Sequence, residues 1–75
     1  MPKDVIEYIV KFLVEKPDVV RISERSEGSK TFLEIHVDKN DRGRVIGKGG
    51  SAIRSIRSVA SLLSPGRTFF VDVAG

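Results

Sequence analysis

The sequence predicts an α+β fold with the element order αββααβ, in a single domain that spans residues 1–75. Two observations lead to this prediction. Apolar residues recur at the helical period in residues 2–16 and 51–63, and they alternate with polar residues in three shorter stretches. Turn-forming residues separate these stretches. A chain of 75 residues that is 40% hydrophobic and 31% charged is long enough for one small globular domain with a thin core.

The first half of the chain predicts a helix followed by a hairpin. Pro17 ends the helix of residues 2–16, because proline disfavours helical geometry at the residue before it. Two alternating stretches then lie on either side of the turn Glu27-Gly28-Ser29 and are predicted to be strands over Val19–Ser26 and Thr31–Val37. The apolar face of the second strand carries Leu33, Ile35 and Val37.

The second half of the chain predicts two helices and a final strand. Asp38 is suited to cap a short helix, with Asp41 three positions later in a box-like arrangement. That helix carries Val45 and Ile46 and ends at Gly47. The remaining elements are a helix from Ser51 to Leu63, a stop at Ser64-Pro65-Gly66 and a strand from Arg67 to Ala74. The apolar stripe predicted for the longer helix comprises Ala52, Ile53, Ile56, Val59, Ala60 and Leu63.

The net charge of +3 is unevenly distributed along the chain. Residues 1–41 hold seven basic and nine acidic residues, whereas residues 42–71 hold six basic residues and no acid. A basic stretch without acids indicates a surface that faces a polyanion, although a solvated helix face with an accidental charge bias gives the same pattern. The absence of cysteine excludes a disulfide framework and thiol catalysis, and it agrees with a cytoplasmic location. No apolar stretch approaches the roughly 20 residues that span a bilayer, so no membrane association is expected.

Three glycines in four positions, in the segment Gly47-Lys48-Gly49-Gly50, join the two predicted helices. The segment does not match a Walker A loop, because Gly49 stands where a magnesium-binding Ser or Thr is required. A dinucleotide-binding fingerprint would follow a buried strand, but here a short helix precedes the glycines. Two interpretations remain. The glycines serve only the geometry of a helix corner, or they let a sugar-phosphate backbone approach the peptide N–H groups at the start of a helix.

The segment from Arg44 to Arg54, with the sequence RVIGKGGSAIR, resembles the V-I-G-x-x-G-x-x-I-[RK] signature of KH domains. The resemblance covers essentially the whole chain and is closest to the small bacterial KhpA (YlqC-like) family. It implies the type II KH fold, in which a three-stranded mixed sheet carries three helices on one face. It also implies that the glycine loop clamps the backbone of about four single-stranded nucleotides.

By this resemblance, a set of loop and helix residues would contact RNA. The four residues of the glycine loop would hold phosphates, and Ile46 would line an apolar groove floor with Ile53 nearby, although both isoleucines suit a core equally well. Arg44, Arg54 and Arg57 would supply positive charge. The second strand, around Glu34–Val37, would form the opposite wall of the groove. The implied RNA-binding residues are Arg44, Ile46, Gly47, Lys48, Gly49, Gly50, Ile53, Arg54 and Arg57.

The function expected from these observations is non-enzymatic binding of single-stranded RNA, as a low-specificity chaperone or post-transcriptional regulator. Single-stranded DNA is a narrower alternative ligand. The resemblance implies a homodimer and a complex with a KhpB/Jag-type RNA-binding protein. A protein-docking or dimerisation module is the alternative function. An enzyme is not expected, because no carboxylate cluster or Ser/His/Asp arrangement accompanies the basic region, and no cofactor or metal is implied.

Four further side chains have simple expected roles. His36 is predicted to be a surface residue, and Arg67 an ordinary charge at the start of a strand. Phe32 and Phe70 lie opposite the apolar series of their strands. They are suited to stack on bases, but a dimer interface or a second core layer is the favoured expectation for both.

Overall fold

The computed structural model describes residues 2–75 and confirms the predicted order of helices and strands. The helices are α1 (Pro2–Leu13), α2 (Arg42–Ile46) and α3 (Ser51–Leu63), and the strands are β1 (Arg21–Glu27), β2 (Lys30–His36) and β3 (Thr68–Val73). Single 3-10 turns lie at Pro17–Val19, Lys39–Asp41 and Lys48–Gly50. No helix within residues 2–75 has the length and apolar character needed to cross a bilayer.

The sheet is mixed and has the strand order β1-β2-β3. The antiparallel hairpin places Ile22 opposite Ile35, and the parallel pairing of β2 with β3 places Leu33 opposite Val71. The parallel connection is possible because α2 and α3 carry the chain from one end of the sheet back to the other. This is the α+β type II KH fold, with β1 and β3 as the two edge strands.

The core lies between the helices and one face of the sheet. Helix α3 packs mainly on β3, and α1 packs on β1 and α3. Alternation along each strand turns every second side chain toward the helices, which is why the apolar series predicted from the sequence forms one surface. The buried apolar residues are Ile6, Val10, Val20, Ile22, Leu33, Ile35, Val45, Ile56, Ala60 and Phe69.

Helix α1 ends at Leu13, three residues before the predicted end, and Asp41 explains the difference. The carboxylate of Asp41 accepts the backbone N–H of Glu15 at 3.0 Å and that of Lys16 at 3.1 Å. The prediction that Asp41 completes a capping box is therefore wrong. Asp38 does cap its 3-10 turn, because its side chain accepts the N–H of Asn40 at 3.0 Å.

The remaining differences between prediction and structure lie at the ends of elements. Strand β1 begins at Arg21, because a 3-10 turn occupies Pro17–Val19. The apolar stripe of α3 stops short of Leu63, whose side chain is exposed. The second core layer expected for Phe32 and Phe70 is absent within residues 2–75, because Phe70 is 45% exposed on the sheet face that points away from the helices. We call this face the open face; whether it forms a dimer interface stays a prediction.

Candidate nucleic-acid interface

The glycine loop (Gly47–Gly50) makes a tight corner between α2 and α3. The N–H of Gly47 donates to the carbonyl of Gly43 at 2.9 Å and closes α2, and the N–H of Gly50 donates to the carbonyl of Gly47 at 3.1 Å. All three glycines of the loop have positive φ. The corner thus needs a backbone conformation that other residues rarely adopt.

The three glycines differ in what a side chain would meet. A Cβ atom at Gly47 would lie 2.7 Å from the amide nitrogen of Ala52, so the corner is too tight for any larger residue. A Cβ atom at Gly49 would meet nothing within 4 Å. Helix geometry therefore explains Gly47, but the space beside Gly49 is open and leaves the loop backbone accessible.

The start of α3 has no side-chain cap. Gly50 is its N-cap residue and provides no side chain to accept an N–H of the first turn. The 13-residue helix carries a partial positive charge at this end. Lys48 is exposed at the tip of the loop and forms no ion pair within residues 2–75. A negatively charged oxygen placed here would meet backbone N–H groups that no side chain caps, a helix dipole and a mobile ammonium group.

Two isoleucines provide an apolar surface beside the loop. Ile46 precedes Gly47 and is 39% exposed, whereas its neighbour Val45 is completely buried. Ile53 is half-buried, and its Cγ2 atom lies 4.0 Å from the position of a Cβ atom on Gly50. Ile46 is therefore a surface residue of the corner rather than a core residue, as the groove-floor expectation requires.

The three arginines of the predicted site have different surroundings. Arg54 donates from Nη1 to the carbonyl oxygen of Gly49 at 2.6 Å and thus holds the loop. Arg44 pairs with Glu15 at 3.1 Å and with Asp41 at 3.5 Å, so nearby carboxylates balance its charge. Arg57 lines a separate cavity on the open face of the sheet.

The predicted opposite wall of the groove is not where the resemblance implied. Ile35 is completely buried under the helices. Glu34 and His36 lie on the open face, where Nε2 of His36 is 3.2 Å from Oε1 of Glu34 and 3.0 Å from Oγ of Ser23. Alternation along the strand causes this division, because a strand cannot turn successive side chains to the same side. The side chains of residues Glu34–His36 therefore point either into the core or onto the open face of the sheet.

Arg67 is a structural residue that the sequence pattern did not reveal. Its Nε donates to Oγ1 of Thr31 at 2.9 Å, and its Nη2 donates to the carbonyls of Gly28 and Lys30 at 3.0 and 3.3 Å. The guanidinium group therefore fastens the hairpin turn to the start of β3. Its partners are 36 to 39 residues away in sequence, so no local signal could identify them.

A comparison with known protein families leads to the same fold. The model of the KhpA/KhpB KH domain matches residues 3–68. The chain belongs to this family. The KhpA/KhpB family is not one of enzymes, and residues 2–75 contain no group of side chains suited to hold a metal ion.

Several relatives carry the name RNA-binding protein KhpA. The relative from Leifsonia xyli is 38% identical over 66 residues, which cover 88% of this chain and 87% of the relative. That from Halalkalibacterium halodurans is 42% identical over 57 residues, covering 76% and 75%. That from Streptomyces coelicolor is 34% identical over 73 residues, covering 97% and 91%. The resemblance to bacterial KhpA proteins therefore extends over most of the chain.

A solved structure shares the fold at lower sequence identity. A crystal structure of a variant of Era from Aquifex aeolicus, bound to GDP and aluminium fluoride, superposes with a TM-score of 0.66. The match has 20% identity and covers 97% of this chain and 30% of that one. This similarity shows that the two chains share an arrangement of helices and strands. It gives no information about activity.

Proposed function

We propose that this chain binds single-stranded RNA by clamping the sugar-phosphate backbone against the glycine loop and the start of α3. One observation carries the proposal. The first turn of α3 has no side-chain cap, and the loop in front of it combines an exposed lysine with a glycine whose side-chain position is empty. The names of the KhpA relatives supply the ligand class.

The contacts divide between phosphate and base. Phosphate oxygens would accept from uncapped backbone N–H groups at the start of α3 and pair with Lys48, and the absence of a side chain at Gly49 would leave room for their approach. Base faces would lie on the apolar surface of Ile46 and Ile53. Such a surface offers few hydrogen bonds to base edges, so a single domain would discriminate poorly between sequences. This is the behaviour expected of an RNA chaperone or a broad post-transcriptional regulator in the cytoplasm.

The arginines take different parts in this proposal. Arg54 is a positioning residue, because it holds the carbonyl of Gly49 and sets the direction of the loop backbone. Its remaining N–H groups can also face a phosphate. Arg44 contributes less than the sequence implied, since Glu15 and Asp41 offset its charge.

Amide chemical shifts recorded during titration with a uridine-rich octamer RNA, and with the matching DNA, test the position of this site. We expect the largest shifts at residues 46–54 with either strand, and larger shifts with RNA. Shifts confined to the rest of the molecule, in a protein that remains folded, would contradict the proposal.

Exposed apolar side chains on the helices support self-association as a second property. Tyr8 is 64% exposed, Phe12 73% and Leu62 79%. Tyr8 and Phe12 also contact each other edge to face, with ring centroids 4.9 Å apart. Contiguous exposed apolar surface often marks a protein interface, and the pair of Tyr8 and Phe12 is contiguous. They favour a homodimer or a complex with a KhpB-type partner. If the chain did not bind RNA, they would favour the alternative function of a protein-docking module.

Replacement of Leu62 by Asp tests the homodimer. We expect wild-type protein to have the mass of a dimer by light scattering at high micromolar concentration, and Leu62→Asp to shift the population toward monomer. The control is Ser61→Asp, which places the same charge at a neighbouring exposed polar position. A wild-type protein that stays monomeric at these concentrations would remove the homodimer from the account.

A further inference from the structure

The open face of the sheet carries a row of stacked side chains. Arg25, Phe32 and Phe70 are neighbours across the three strands. The rings of Phe32 and Phe70 stack with centroids 5.0 Å apart and planes inclined by 14°, and the guanidinium carbon of Arg25 lies 4.3 Å from the centroid of Phe32. Strand β3 is an edge strand, so the outer face of the Phe70 ring has no neighbouring strand. The stack therefore ends in an aromatic surface that is open to solvent.

Two carboxylates lie in the next row of the same face. Glu34 and Asp72 are direct neighbours in the parallel pairing of β2 with β3. Like charges at such positions destabilise a sheet. Neither carboxylate pairs with a lysine or arginine in the part of the chain that the structure describes. One oxygen of Asp72 accepts the N–H of Val73 at 2.8 Å, and the other is free to accept from a ligand.

A cavity of about 660 Å³ is lined by residues of both rows, among them Phe70 and Asp72 of the edge strand. Arg57 also lines the cavity and comes from α3, the helix that packs along β3. The cavity has the volume of a small-molecule site and contains no residue of the glycine loop. It is thus a second concave site, separate from the proposed backbone clamp.

We propose that this cavity binds an unpaired guanine base that stacks on the outer face of Phe70. The carboxylates disfavour a phosphate group, and the arginines disfavour a cationic ligand, so a neutral planar molecule remains. Guanine has adjacent N–H donors on one edge, which match Asp72, and two acceptors on the other, which match an arginine such as Arg57. A second copy of the chain is a weaker match, because two rings on an otherwise polar face fall far short of the roughly 800 Å² that each partner buries in a stable interface.

This inference rests on the proposed function for the source of the base, since single-stranded RNA exposes unpaired guanine. The binding site itself can be tested without RNA. Free guanosine is a neutral probe that carries no phosphate and therefore makes little use of the glycine loop. Adenosine and uridine are matched probes, and inosine is guanosine without its 2-amino group.

Titration of the protein with each nucleoside, followed by amide chemical shifts, tests the proposal. We expect guanosine to shift the amides of residues 32–34 and 70–72 and to bind more tightly than inosine, adenosine or uridine. Phe70→Leu should weaken guanosine binding by about fivefold or more, because it removes the stacking surface. Val19→Ala, which alters an apolar side chain of similar exposure (44% against 45%) outside the cavity, should leave the affinity unchanged. Asp72→Asn should remove the preference for guanosine over inosine.

Other results would overturn the inference. The absence of shifts on the open face up to the solubility limit of guanosine would exclude the site. Equal binding of all four nucleosides would exclude guanine recognition. If the amide chemical shifts of Phe32 and Phe70 changed with protein concentration in the absence of nucleoside, the open face would be assigned to contact with a second copy of the chain. The variant Lys48→Asp/Gly49→Asp separates the two proposals, because it should weaken RNA binding tenfold or more and leave guanosine binding intact.

Discussion

Gly47 and Gly49 belong to the same loop, but the structure gives them different tasks. Gly47 has φ 76° and ψ 170°, a combination that is almost restricted to glycine, and a side chain there would press on Ala52. Gly49 has φ 62° and ψ 21°, and a side chain there would point into open space. Gly47 is therefore needed for the tight corner, whereas Gly49 leaves the backbone of the loop accessible.

Alanine at each of these positions tests the division. Gly47→Ala should lower the free energy of unfolding by about 2–4 kcal/mol, because it adds backbone strain and a steric overlap. Gly49→Ala should lower it by about 1 kcal/mol, the cost of left-handed geometry alone. Urea unfolding measures both. Equal losses in the two variants would show that the corner is not tight at Gly47.

At this scale the sequence predicts which residues form the loop but not which side chains they contact. The motif predicted that the three glycines and Lys48 join two helices, and in the structure they lie between α2 and α3. It could not show that Arg54 holds the carbonyl of Gly49, or that Glu15 balances the charge of Arg44. The second of these contacts joins residues 29 positions apart and depends on how α1 meets α2.

Asp41 joins two elements that are distant in sequence. It is 2% exposed, and its two carboxylate oxygens accept the backbone N–H groups of Glu15 and Lys16 just after α1. Arg44, one turn along α2, pairs with the same group at 3.5 Å. A buried carboxylate with these partners fixes the end of α1 against the start of α2.

Removal of this carboxylate should be costly. We expect Asp41→Ala to lower the free energy of unfolding by about 3 kcal/mol, because two partly buried hydrogen bonds to a charged acceptor are lost and the buried carboxylate leaves a gap. The control is Asp38→Ala, which removes the cap of a short turn and a largely exposed ion pair with Lys16 and should cost about 1 kcal/mol. Both values come from urea unfolding. Similar losses in the two variants would mean that the joint between α1 and α2 does not depend on Asp41.

The elements themselves were predictable because their patterns are local. The helical periodicity of α1 and α3, the hairpin turn and the alternation of β2 and β3 are each contained within a few residues. The end of α1 was misplaced because its determinant, Asp41, lies 25 residues beyond Lys16. The groove wall predicted over Glu34–Val37 was wrong for another reason. The resemblance indicates which strand lies beside the groove, but it does not indicate which side chains of that strand face the groove.

At the scale of the whole molecule, the division of charge along the chain agrees with the proposed contact to RNA. The acid-free stretch of residues 42–71 contains the glycine loop and all of α3. Its positive charge is partly balanced where Arg44 meets the end of α1, and it is free at Lys48. A strand held over about four nucleotides would displace a few counterions, so the logarithm of affinity should fall with the logarithm of salt concentration with a slope of roughly −2 to −3.

The most direct test of the backbone clamp is fluorescence anisotropy of a single-stranded RNA with matched variants at two salt concentrations. The loop variant is Lys48→Asp/Gly49→Asp. The control is Lys30→Asp/Gly28→Asp, which makes the same charge change in the hairpin turn, at a glycine with φ 60° and the same open surroundings. Circular dichroism confirms that both variants fold. We predict salt-sensitive binding that the loop variant weakens tenfold or more and the control leaves within twofold. A folded loop variant that binds RNA as well as the wild type would contradict the account.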